Sequence, residues 1–115
     1  MKRAACIAFA AALCGCVGPV YEGQYAYDDG WAIGQVAEVG PPSSIRERSS
    51  KDCRLGAIAQ GLGDRTFARV AYHRGRTYRS IVSVAPQGAQ LAVGDSVYVN
   101  YLDCGAEIVP RHFRR

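Results

Sequence analysis

At 115 residues the chain has room for one small domain with a thin core, which excludes a multidomain organisation. Its formal charge of +4 falls to about +2 when Lys2 and Arg3 leave with an N-terminal signal, too mild a balance to imply a nucleic-acid partner. The basic residues are almost all arginine. Their only cluster, Arg111, His112, Phe113, Arg114 and Arg115, ends the chain as a solvated tail or as a patch for anionic lipid or an acidic polymer.

After Lys2 and Arg3 comes an apolar run over residues 4–13, about 10 residues long and too short to cross a ~30 Å hydrocarbon core as a helix. That is the pattern of a secretion signal. Leu13, Cys14, Gly15 and Cys16 follow, with a Leu three positions before a Cys and a small residue just ahead of it. This stretch resembles the lipobox of bacterial lipoproteins. The resemblance implies that residues 1–15 are a signal peptide and that Cys16 becomes the mature N-terminus with lipid, palmitate included, on its sulfur. Cys14 stands where Ala or Ser is usual. The alternatives are an ordinary signal cut near residues 10–12, releasing a soluble protein, and an apolar start that is never removed.

Residues 16–30 carry Gly, Pro, Tyr and Asp without an apolar period, the composition of a flexible or loosely docked tether. Tyr21, Tyr25 and Tyr27 within it are free to sit at a membrane interface, pack on the domain, stack on glycan or stand singly on the surface. The domain proper is expected over residues 31–112, with a basic tail at 113–115. Residues 31–39 hold enough β-formers for a strand, and Gly40, Pro41 and Pro42 stop it. Residues 43–52 are polar and Ser-rich and read as a surface loop. Residues 53–60 fit a short helix or an irregular strand equally, with Leu55, Ile58 and Ala59 at helical spacing and Gly56 against it.

The next two runs alternate cleanly. Over 66–73, Ala68, Val70 and Tyr72 share one face, and Phe67, Arg69, Ala71 and His73 the other. Over 76–84, Tyr78, Val82 and Val84 oppose Thr77, Arg79, Ile81 and Ser83. Joined by a tight turn at Arg74 and Gly75, they predict the best hairpin in the chain. Turn residues at 86–88 and 91–95 precede a strand over 96–101 with Val97, Val99 and Tyr101 inward, and residues 107–109 form a last short strand stopped by Pro110. About five short strands with little helix predict an all-β domain, a small partly closed barrel or sandwich filled by its own side chains.

Of five cysteines, Cys6 and Cys14 belong to the signal and Cys16 to the lipid, leaving Cys53 and Cys104 as a pair. An exported chain passes through an oxidising compartment, so a bridge between them is the default expectation. A redox thiol or metal ligand is the competing expectation, but there is no Cys-x-x-Cys, and neither His73 nor His112 has ligand-like spacing. Closing a loop of about 52 residues contributes roughly 4 kcal/mol in the chain-entropy model.

The order of parts resembles the glycine-zipper outer-membrane lipoproteins of the SlyB and Pcp type. Cys16 matches the lipidated Cys; Gly34, Val36 and Val39 the first strand; residues 76–84 the hairpin; Val93, Gly94, Asp95 and Val97 a turn; and Val109, Pro110 and Arg111 the end. The resemblance implies an outer-membrane lipoprotein of a Gram-negative bacterium, and Val17 in place of Asp suits outer-membrane sorting under the rule for enteric bacteria. Gly56, Gly61 and Gly63 do not make the repeated Gly-x-x-x-Gly of a zipper, and the paired cysteines lie outside the family pattern.

No nucleophile–base arrangement, Gly-x-Ser-x-Gly, His-Glu-x-x-His, phosphate loop or paired carboxylate appears, so an enzyme is not expected, and neither cofactor nor metal is assigned. Arg69, Arg74, Arg76 and Arg79 share one hairpin with Tyr72 and Tyr78. They read as a binding stripe for acidic lipid, glycan or protein, or else as a solvated sheet face. The expected role is that of a lipid-anchored, periplasm-facing lipoprotein, held by the membrane and an envelope protein partner, that braces or assembles the envelope by binding. The alternative is a small accessory or inhibitor subunit docking on one envelope or secretion protein through the hairpin.

Overall fold

A computed structural model of the chain describes residues 18–111. The signal at 1–15, Cys16, His112 and the tail at 113–115 lie outside the described residues. The domain is all-β, as its alternation predicts. Strands β1 (Val20–Tyr21) and β2 (Tyr25–Ala26) form a small hairpin, and a sheet of six strands is ordered β4-β6-β5-β3-β7-β8. Its members are β3 (Trp31–Gly40), β4 (Lys51–Asp52), β5 (Phe67–Arg74), β6 (Thr77–Val84), β7 (Ser96–Asn100) and β8 (Val109–Pro110). The ambiguous stretch after Cys53 resolves as one short helix, α1 (Arg54–Ala59).

The long strand β3 is the centre of the sheet, antiparallel to β5 on one side and to β7 on the other. Val36 and Val39, three positions apart, would face opposite sides of a regular strand. The register shifts between Val36 and Glu38, so the bulge at Ala37 returns both Val36, opposite Val70, and Val39, opposite Ala68, to one face. That face is the concave interior. Ala32, Val36, Ala68, Val70, Tyr72, Ile81, Val97, Val99, Cys53 and Ile108 fill it as one buried cluster. Ile81 belongs here because it pairs with Val70.

The opposite face is also covered, in two places. Phe67, Val82 and Val84 pack with Ile45 from the 42–45 segment, and Ala57 of α1 leans on them. Arg54 fastens that cover: its guanidinium donates to the carbonyls of Pro42 and Ile45 at 2.8 Å each and pairs with Asp52 at 2.6 Å. Over β7 and β3 the cover is the β1–β2 hairpin. Tyr21 and Tyr25 stack on Tyr98 at 5.8 and 4.8 Å between centroids, Tyr25 meets Trp31 edge-on at 4.9 Å, and the Tyr98 hydroxyl donates to the Glu22 carboxylate at 2.6 Å. In the span read as a tether, the described residues are therefore packed on the sheet. Tyr21 and Tyr25 take the option of packing on the domain, because Tyr98 and Trp31 offer apolar area that would otherwise face water.

The sheet curls without closing into a continuous ladder, and its two edges are bridged instead. The Ile108 N–H donates to the Val84 carbonyl at 3.0 Å, the Ser83 hydroxyl to the Ala106 carbonyl at 3.2 Å, and Lys51 Nζ to the Tyr101 carbonyl at 2.9 Å. A Cys53–Cys104 disulfide crosses the same seam, with the Cα atoms 5.4 Å apart. Edges held this way are withdrawn from pairing with other chains.

Candidate functional site

The β5–β6 hairpin was singled out by its arginines and tyrosines, and its register decides where each goes. Arg74 pairs with Thr77 across a two-residue loop, with Gly75 at φ +63°, a conformation a side chain disfavours and a tight hairpin needs. Residues opposite each other share a face. Tyr72 pairs with Arg79 and, with Arg74 two residues on, lies on the concave side. Arg69, opposite Val82, and His73, opposite Tyr78, lie on the convex side. The six candidate residues therefore do not form one stripe.

On the convex side Arg69 is committed to structure. Its Nε donates to Glu38 at 2.7 Å, and Glu38 also accepts the backbone N–H groups of Arg46 and Glu47. The hydrogen bond from Arg69, reinforced by those backbone donors, holds the Glu38 carboxyl below the usual carboxylate range against the effect of burial. Tyr78 is 67% exposed and meets His73 edge-on at 5.0 Å.

On the concave side the residues converge at one end of the curled sheet. Tyr72, 3% exposed, stacks on Tyr101 at 5.7 Å with an interplanar angle of 12°. Burial pushes the Tyr72 hydroxyl up from its ordinary value, and the charges of Arg79 and Arg74 oppose that shift. The Arg74 guanidinium stands 4.8 Å above the Tyr101 ring, a cation–π contact, and Lys51 reaches the Tyr101 carbonyl from the far edge of the sheet. Arg76 in the loop and Arg79 on the strand are exposed. Among the described residues none of Arg74, Arg76 or Arg79 has an ion-pair partner.

The same end receives the start of the described chain. The Gly18 N–H donates to Asp28 at 3.3 Å, the Tyr27 N–H to the Pro19 carbonyl at 2.9 Å, and the Gly30 carbonyl accepts the Tyr101 N–H at 3.0 Å. Asn100 closes this corner by donating to the Asp29 carbonyl and accepting the Leu102 N–H. The mouth thus holds cations on the β4–β6–β5 side and Asp28 and Asp29, just ahead of β3, on the other, with Leu102, 60% exposed, beside Gly30. Arg111 lies over β7, donating to Ser96 at 2.9 Å with its guanidinium 5.5 Å from the Tyr98 ring.

Comparison of the chain with family models, with curated proteins and with solved structures gave no match. The site therefore rests on its own geometry.

Sequence reasoning found Tyr72, Arg74, Arg76 and Arg79 but missed that Lys51 and Tyr101 complete the group. Tyr101 carried a signal, being in phase with Val97 and Val99. Lys51 carried none, because nothing local tells that a Ser-rich loop ends in a parallel strand beside β6. Among the described residues no group of three or more His, Cys, Asp or Glu side chains is placed to hold a metal ion.

Proposed function

We propose that this chain is a lipid-anchored lipoprotein of the bacterial outer membrane whose β domain faces the periplasm and serves the envelope by binding. The observation that carries this reading is the joining of Cys53 to Cys104 within the domain. A bridge across the seam of a small sheet suits an exported protein, since cytosolic thiols are kept reduced. It also uses up the only cysteine pair left once Cys16 is given to lipid and Cys6 and Cys14 to the signal. The lipobox at Leu13, Gly15 and Cys16, the Val17 that follows it and the ordered resemblance to glycine-zipper lipoproteins support the same reading.

The test is chemical. Expressed in a Gram-negative host, the wild type should incorporate radiolabelled palmitate, show processing that globomycin blocks, and fractionate with the outer membrane; Cys16→Ala should lose the label. An unlabelled soluble wild-type product overturns the proposal.

A further inference from the structure

We propose that the cationic side of the mouth of the curled sheet, formed by Lys51, Arg74, Arg76 and Arg79, lies against the anionic phospholipid headgroups of the membrane that holds Cys16. The inference rests on the anchor reading above and adds to it a surface, an orientation and a lipid class.

The first argument is chain length. The described chain starts at Gly18, already hydrogen-bonded to Asp28. Only Val17 separates Gly18 from Cys16, and two steps of extended chain cover at most about 7 Å. A lipid on Cys16 therefore holds the domain by its Gly18 end at the headgroups. The second argument is where that end lies. Through Asp28, Gly30 and Tyr101 it shares one end of the sheet with the stacked Tyr72–Tyr101 pair and with Arg74 above it.

The third argument is charge. Arg74, Arg76 and Arg79 are exposed without an acidic partner among the described residues, and Lys51 adds a fourth cation at the same mouth. Basic residues next to an anchor are attracted by the surface potential of anionic lipid, and a second signal beside a lipid chain is what fixes an anchored domain on a bilayer. Exposed Tyr78 and Leu102 flank the cations and suit the interfacial zone, where amphipathic rings and apolar tips settle. Asp28 and Asp29 stand on the other side of the mouth, so the domain tilts toward its β5–β6 hairpin.

The test uses the exported protein, purified from membranes and reconstituted into vesicles of phosphatidylcholine alone or with about one-third phosphatidylglycerol. Phenylglyoxal modification of each arginine is read by mass spectrometry, after flotation shows the protein on the vesicles. Arg74, Arg76 and Arg79 should label several-fold more slowly on the anionic vesicles than on the neutral ones, while Arg46, beside Glu38 on the convex face, labels equally on both. In R74Q/R79Q, which alters only exposed side chains, the protection of Arg76 should disappear. Flotation with equal labelling on both vesicles overturns the orientation and leaves the anchor standing. Failure to float on either vesicle overturns the anchor reading and the orientation with it.

Discussion

The hydroxyl of Tyr98, in the middle of β7, donates a 2.6 Å hydrogen bond to the carboxylate of Glu22 at the tip of the β1–β2 hairpin. Seventy-six positions apart in the chain, the two residues fasten the N-terminal segment to the convex face of the sheet. The phenol ring beneath carries Tyr21 and Tyr25, so one side chain supplies both the platform and the latch.

Removing the platform should release the hairpin without unfolding the sheet. Tyr98→Ala is expected to cost about 3 kcal/mol as a buried aromatic truncation, and Tyr98→Phe about 1 kcal/mol through the lost hydrogen bond alone. Trp31 is the only tryptophan and lies against Tyr25, so its emission reports the docking. Tyr98→Ala should shift Trp31 emission to longer wavelength while the far-ultraviolet β signal remains. An unshifted emission would contradict a docked hairpin.

The Cys53–Cys104 bridge spans 51 positions and crosses the open seam of the sheet. In the chain-entropy model a loop of that size contributes about 4 kcal/mol, a large share of the net stability of a domain this small. Reduction, or the double change C53A/C104A, should lower the urea midpoint strongly and raise amide exchange first in β4 and β8, the two edges it joins. A midpoint unchanged by reductant would show that the edge hydrogen bonds suffice.

Gly34 lies where β3 is squeezed between β5 and β7. A Cβ there would meet Val70 Cγ1 at 2.5 Å and the backbone carbonyl oxygen of Ala71 at 2.6 Å. The Val70 methyl has little room to move in the buried cluster, and the carbonyl belongs to the β5 ladder. Gly34→Ala should therefore push the central pair apart and cost several kcal/mol, an overpacking effect at the upper end of its usual range. Gly56→Ala, where nothing lies within 4 Å, should be neutral or slightly stabilising in α1. Thermal midpoints of the two variants should differ widely, and similar values would show that the strands separate cheaply.

Acid should loosen the convex face before the core. The Glu38 carboxyl, held down chiefly by its hydrogen bond from Arg69, stabilises the fold above the ordinary carboxylate pKa of about 4.3. That contribution is lost as pH falls below this value and through the lower folded-state value. Asp52, lowered by its hydrogen bond from Arg54, follows the same sign, but its more exposed side chain makes the effect smaller. The wild type should melt above Glu38→Gln at pH 7, and the gap should close below about pH 4. A gap that stayed constant with pH would mean that the carboxylate charge contributes nothing.

What the sequence alone determined was whatever short-range chemistry dictates. Alternation gave the β5–β6 hairpin and both its faces, Gly75 its turn, and the count of cysteines the Cys53–Cys104 pair. It also named most of the basic residues at the mouth. It did not tell that both faces of the sheet are covered, since Phe67 and Val82 share the convex face with Arg69 and His73 and are buried there only by Ile45 and α1. Residues 18–30 have no periodicity to announce β1 and β2, because their order comes from Tyr98 and Trp31, which stand in other strands. Lys51 and Tyr101 meet only because the sheet curls, bringing the ends of β4 and β7 to one mouth. Such choices belong to tertiary structure, where the area buried between distant segments outweighs the weak preferences of either alone.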